Sequence, residues 1–254
     1  MNRKFRLLLL SLFVLPISIE ASDSIGVSHE IIHSQWFSHQ EQMYRRVDIY
    51  VPEGIDSLPV LYLLHGINGY EGSWQDKGNA VDTLCRMMAE GRCRPMMLVM
   101  PDCNKWPFKE RPIDHGNIWK CIFHYPRLSR EHEIEYALSD LIDMIDSTYH
   151  PLPDCAIAGL SDGARMAANV ANLRPEHIRT VGLFSPVLHK DQLPKDSTQI
   201  YRIYVGKSDI FYSSGNRFHR RLEKSGHPQQ WIRMSGNHNW RMWRQCLSDF
   251  LSHE

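Results

Sequence analysis

The sequence has no surplus of either charge: 29 Lys and Arg stand against 29 Asp and Glu in 254 residues. Without a basic excess nothing points to a nucleic-acid partner, and without an acidic tail nothing points to a solvated arm. The six cysteines (Cys85, Cys93, Cys103, Cys121, Cys155 and Cys246) contain no C-x-x-C pair, which counts against a structural zinc or a thioredoxin-type dithiol. No internal repeat or low-complexity linker breaks the chain. The apolar stretch from Leu7 to Ile19 has 13 residues, short of the ~20 that a membrane-spanning helix needs.

That stretch has another reading. Asn2-Arg3-Lys4-Phe5-Arg6 is a basic segment ahead of it, and Ile19-Glu20-Ala21 ends it on a small residue. The pattern predicts a secretory signal peptide over residues 1–21, cut after Ala21, and a secreted or periplasmic protein with no stable membrane anchor. In an oxidising compartment cysteines can pair, and Cys85 with Cys93, or Cys103 with Cys121, are near enough in sequence to do so. Cys155, inside an apolar run, reads as a small buried hydrophobe. At 43% hydrophobic and 23% charged, residues 22–254 are long enough for one sizeable core, and one domain is expected.

Short apolar runs alternate with helical periodicity along that domain. Strands are predicted at 31–37, 44–51, 59–65, 96–100, 155–158, 180–184, 200–205 and 230–234, by β-branched content, strand length and flanking Gly or Pro. Helices are predicted at 79–90, 131–149, 164–173, 216–224 and 240–251. The helix at 131–149 carries Ile134, Leu138, Leu141, Ile142 and Ile145 on one stripe. Residues 103–130 show no clear period and hold Trp106, Phe108 and Trp119; an irregular segment of that length is usually functional. Strands alternating with helices imply an α/β fold, a mostly parallel sheet of about eight strands with helices on both faces.

Gly159-Leu160-Ser161-Asp162-Gly163 matches G-x-S-x-G between a predicted strand and a predicted helix. That context makes Ser161 a candidate nucleophile on a strained turn, its hydroxyl above the sheet edge and the helix N-terminus aimed at a developing oxyanion. A hydroxyl needs a base, and the base an orienting carboxylate, both at the same sheet edge. Asp209 follows the strand at 200–205 and His238 follows the strand at 230–234. With 14 histidines in the chain, a downstream histidine means little by itself. Position separates His238 from His189, His219 and His227. Asp191 and Asp196 are rivals for the acid, and capping of the next helix is the other role open to Asp209. Two backbone donors are expected for an oxyanion: the N–H of Asp162, after the nucleophile, and that of Ile67, in the loop after the strand at 59–65.

Four blocks together, LYLLHGINGYEGSW (61–74), IAGLSDGA (157–164), YVGKSDIFY (204–212) and GNHNWRMWRQCL (236–247), resemble the esterase D and carbohydrate esterase family 1 group. That group takes in feruloyl and acetylxylan esterases, tributyrin-type esterases, S-formylglutathione hydrolase and mycolyltransferases. The resemblance implies an α/β-hydrolase fold, with nucleophile, acid and base falling on Ser161, Asp209 and His238 and oxyanion donors on Ile67 and Asp162. It implies no metal and no organic cofactor. Two departures stand out. Asp162-Gly163-Ala164 replaces the group's usual methionine and two glycines, and Asn237 and Asn239 flank the base where glycine and an acid are usual. A carboxylate beside an oxyanion is unhelpful unless it is paired, and Arg165 is the candidate partner. The expected activity is an exported serine ester hydrolase acting on acylated carbohydrate, such as feruloyl or acetyl groups on xylan, or on a small ester. Trp74, Trp106 and Trp119 are candidates to line its cleft. A tributyrin-type esterase, an acyltransferase, and a non-catalytic ligand-binding protein on the same scaffold are the alternatives.

Overall fold

The computed structural model describes residues 18–24, 26–55, 57–104, 133–188 and 192–254. Trp106, Phe108, Trp119, Cys121, His189 and Asp191 lie outside the described residues, as does most of the expected signal peptide.

The continuous apolar runs become parallel strands buried on both faces, as their composition requires. In chain order the strands are β1 (Ser18–Ser24), β2 (Val27–Ser38), β3 (Met43–Pro52), β4 (Val60–Leu64), β5 (Met97–Pro101), β6 (Cys155–Leu160), β7 (Ile178–Phe184), β8 (Ile200–Gly206) and β9 (Gln229–Met234). They form one sheet in the order β1-β2-β3-β5-β4-β6-β7-β8-β9. β1, β2 and β3 run antiparallel to their neighbours, and β5 through β9 pair parallel. The sheet has one strand more than the eight expected. The addition is β1, paired residue for residue from Ser18↔His33 to Ser24↔Val27. It spans the expected cleavage point, so a chain cut after Ala21 keeps only its last three residues.

Six described helices connect the strands: α1 (Ser73–Asp76), α2 (Ala80–Ala89), α3 (Glu133–Tyr149), α4 (Asp162–Leu173), α5 (Tyr212–Ser225) and α6 (Trp240–Leu251). Because side chains on a strand alternate between faces, each strand feeds two cores. Val60, Tyr62 and Leu64 of β4 pack with the buried residues of α3, α4 and α5. Leu61 and Leu63 pack on the other side with those of α1, α2 and α6. The stripe expected on α3 is buried from Ile134 to Ile145. Truncating one of its members, such as Leu141→Ala, would cost about 2–5 kcal/mol.

Three local differences from the sequence reading have physical causes. α1 is a single turn, too short for a periodic signal. α5 begins at Tyr212, four residues earlier than expected, although Ser213, Ser214 and Gly215 are poor helix formers. Its start is held by the Asp209 carboxylate, which accepts the Phe211 N–H at 2.8 Å. The third concerns cysteine. Cys85, Cys93 and Cys103 are free thiols, so the Cys85–Cys93 pairing that the spacing left open is not made; Cys85 is buried against the Tyr50 hydroxyl at 3.3 Å instead. Among the described residues no helix is long and apolar enough to cross a membrane.

Candidate active site

Every group at the site lies at the carboxyl end of a parallel strand, where an open α/β sheet exposes its loops on one edge. Ser161 follows β6 with φ 54° and ψ −115°, a conformation that L residues rarely adopt. Such strain persists only where the surroundings impose it. Here the Ser161 N–H is tied to the Phe184 carbonyl on β7 at 2.8 Å, and both flanking glycines are closed in. A Cβ on Gly159 would stand 2.3 Å from the Gly163 carbonyl oxygen, and one on Gly163 would stand 2.3 Å from that of His65. Helix, turn and β4 therefore approach more closely than any side chain permits.

The imidazole of His238, in the loop between β9 and α6, reaches across two strands to this serine. Its Nε2 lies 3.1 Å from Ser161 Oγ. Its Nδ1 lies 3.2 Å from each oxygen of Asp209, which stands just after β8. A carboxylate beside Nδ1 assigns the proton to that nitrogen and leaves the Nε2 lone pair facing the hydroxyl. Burial pushes the Asp209 carboxyl up, but hydrogen bonds from His238, Ser185 and the Phe211 N–H outweigh it and hold the group below the usual carboxylate range. Asp209 thus bonds the imidazole and also accepts the N–H of Phe211, the residue that precedes α5. The rival Asp196 is a half-buried loop residue that accepts from Thr198.

Among the described residues no protein acceptor takes the backbone N–H of Ile67 or of Asp162. Both residues adjoin Ser161 in space: Ile67 lines its pocket, and Asp162 opens α4, adding that helix's positive end. The loop carrying Ile67 is fastened by a buried histidine. His65 Nδ1–H donates to the Gly66 carbonyl at 2.7 Å, and Nε2 accepts the Cys103 N–H at 3.0 Å. Burial opposes a charge on this ring while Cys103 and Asp102 push its pKa up to about 10; the N–H aimed at Nε2 needs a lone pair there, and that geometry decides for the neutral ring. Asn104 ties Asp102, at 2.9 Å, to the Gly69 carbonyl. The Asp162 carboxylate is turned to Arg165, whose Nε donates to Oδ1 at 2.8 Å. Arg165 Nη1 also donates to Glu135 on α3 at 2.7 Å, and Asn169 bonds the same Glu135 oxygen at 2.8 Å. The charge next to the donor is therefore paired.

A pocket of about 150 Å³ opens beside Ser161, walled by Ile67, Asn68, Lys77, Leu160, Trp240 and Trp243. Trp74, expected in this wall, is not there. It is 1% exposed, set in the core edge-on to Phe184 and Trp240, with its indole N–H on the Leu64 carbonyl at 3.0 Å. Sequence reasoning missed Trp240, Trp243 and Ser185. The two tryptophans lie two and five residues past His238, on the first turns of α6, and this proximity was the available signal. Among the described residues no cluster of His, Cys, Asp or Glu could hold a metal ion.

Residues 38–195 match the family described as "Putative esterase". The chain belongs to this esterase family. Membership puts it among the carboxylic ester hydrolases. An endo-1,4-β-xylanase/feruloyl esterase of Xylanibacter ruminicola is 27% identical over an alignment of 225 residues that covers 84% of this chain and 29% of that relative. The chain thus spans less than a third of that protein's length. Among solved structures, a ferulic acid esterase from Anaeromyces mucronatus in complex with ferulic acid superposes with a TM-score of 0.72 at 20% identity, covering 91% of this chain and 93% of that one. An S-formylglutathione hydrolase from Staphylococcus aureus gives 0.69 at 15% identity, covering 92% and 98%. At such identities the likeness is one of fold, the α/β-hydrolase fold.

Proposed function

We propose that this esterase is an exported serine hydrolase that removes feruloyl or acetyl groups from plant polysaccharide such as xylan. The observation that carries the chemistry is the unbroken contact from Asp209 through His238 to Ser161, at 3.2 and 3.1 Å. In this reading His238 takes the Ser161 proton as Oγ attacks the acyl carbonyl. The oxyanion is received by the N–H groups of Ile67 and Asp162, which have no acceptor among the described residues. His238 then hands its proton to the departing alcohol, leaving an acyl-enzyme. Water, activated by the same imidazole, releases the acid. Asp209 holds the ring and balances its charge throughout. No step needs a cofactor.

The substrate reading is supported by the feruloyl esterase named among the relatives and by the indoles of Trp240 and Trp243 beside the nucleophile, which suit an aryl or sugar ring. The small volume of the pocket favours a second reading, a short acyl group such as acetyl. Export rests on the basic and apolar segments at the amino terminus. Turnover of p-nitrophenyl acetate, p-nitrophenyl butyrate, methyl ferulate and acetylated xylan by wild type and Ser161→Ala tests both. Activity surviving the substitution ends the mechanism, and preference among the esters, with and without a sugar acceptor, separates aryl from acetyl substrates and hydrolysis from transfer. Failure of a fluorophosphonate to label Ser161 would point instead to a binding protein.

A further inference from the structure

We propose that Ser185 is a positioning residue for the acid, linking the indole of Trp243 in the pocket wall to the orientation of His238. This rests on the reading of Ser161, His238 and Asp209 as the reacting groups.

Ser185 directly follows β7, wholly buried, with φ 52°. It is a second strained serine, one strand over from the first. Its N–H is held by the Tyr204 carbonyl of β8 at 2.8 Å. A glycine would take this backbone more comfortably, so the side chain needs an explanation. The Ser185 hydroxyl donates to Asp209 Oδ2 at 2.6 Å, and Trp243 Nε1–H donates to Ser185 Oγ at 2.9 Å. An indole N–H can only donate and an ionised carboxylate can only accept, so the direction of this chain is fixed. The Phe211 N–H holds the other oxygen, Oδ1, at 2.8 Å. With a donor on each oxygen the carboxylate plane cannot turn, and it stays level with His238 Nδ1. Remove the hydroxyl and it is pinned at one oxygen only. Trp243 also meets the His238 ring edge-on at 4.9 Å and lines the pocket. One indole therefore touches the substrate space, the base and the donor to the acid.

The duller account is that Ser185 merely satisfies the buried indole N–H. The two accounts differ in kinetics. Ser185→Gly removes the hydroxyl while relieving the backbone, so its melting temperature is a control for folding; Ser185→Ala is the second variant. We expect kcat on p-nitrophenyl acetate to fall about tenfold or more, the scale of one hydrogen bond to a charged group, with KM nearly unchanged. The acid limb of kcat/KM should move to higher pH, because a carboxylate freed of one donor stabilises the imidazolium more strongly. Trp243→Phe keeps an aromatic wall and loses the N–H. Its kcat loss should vanish on a Ser185→Gly background, since the indole acts on the acid only through the hydroxyl. A wild-type kcat in Ser185→Gly, an unmoved acid limb, or losses that multiply would each overturn the proposal. Ser161→Ala is measured alongside: if it stays active the site itself is misread, whereas an inactive Ser161→Ala with a fully active Ser185→Gly removes the link alone.

Discussion

The closeness of α4 to the end of β4 can be tested with one methyl group. In Gly163→Ala the new Cβ would lie 2.3 Å from the His65 carbonyl oxygen and 2.7 Å from that of Leu64. Ordinary contact begins near 3.4 Å, so either α4 or the β4 end must retreat by about 1 Å, a displacement that costs ~100-fold when it misplaces reacting groups. Both directions harm the site: one moves Asp162 and its N–H with α4, the other moves the loop bearing Ile67. Neither neighbour is the tip of a flexible side chain, so the strain has no cheap escape, and overpacking of this kind costs about 1–3 kcal/mol of stability. The expected result is a kcat on p-nitrophenyl acetate about two orders of magnitude down, with a lowered Tm but a folded protein by circular dichroism at assay temperature. Fluorophosphonate labelling of Ser161 should slow in parallel, because phosphonylation uses the same donors. If Gly163→Ala keeps kcat and the labelling rate within about threefold, the two N–H groups are not the oxyanion site.

Three further outcomes follow from the same geometry. Asp209 titrates below the usual carboxylate range in the folded chain, so it contributes stability that is present above its unfolded pKa of about 3.9 and is lost as pH falls through the lower folded value. Asp209→Asn should flatten Tm against pH in that acid window, and an unchanged slope would contradict the assignment. Arg165→Met strands Asp162 and Glu135 as neighbouring buried carboxylates, and chemical denaturation should report a loss of about 3–5 kcal/mol; a neutral effect would mean the pair is not buried as described. Trp74→Phe removes a core indole and its bond to the Leu64 carbonyl, so Tm should fall while KM values across the ester panel keep their ranking. A changed ranking would restore Trp74 to the cleft.

Much of the site was legible in the sequence because its parts are local. Gly159 to Gly163 between an apolar run and a helix specifies the elbow through neighbours within a few residues. Asp209 and His238 could be ranked because each sits immediately after a strand, and parallel strands bring such positions to one edge. The flanking aromatics could not be sorted in this way. Trp74 and Trp240 lie in contact, ring centroids 5.2 Å apart, yet only Trp240 lines the pocket; both stand beside site motifs, and nothing in their local sequence distinguishes a wall from a core. Ser185 carried no motif at all, since its role depends on an acid 24 residues away and an indole 58 residues away. Strand β1 was hidden for a related reason: Ile19-Glu20-Ala21 reads as the end of an apolar leader, and only pairing with β2 makes it a strand.

Taken alone, the order of residues determined the alternation of strands and helices, the strained serine and the chain order of the candidates Ser161, Asp209 and His238, because periodicity and turn chemistry act between near neighbours. Tertiary structure decided that the Ser185 hydroxyl reaches Asp209, that Arg165 is anchored to Glu135 on α3, and which tryptophans face the pocket. Those are contacts between segments far apart along the chain, such as the 77 residues separating Ser161 from His238, and only the packed sheet brings them within reach of one another.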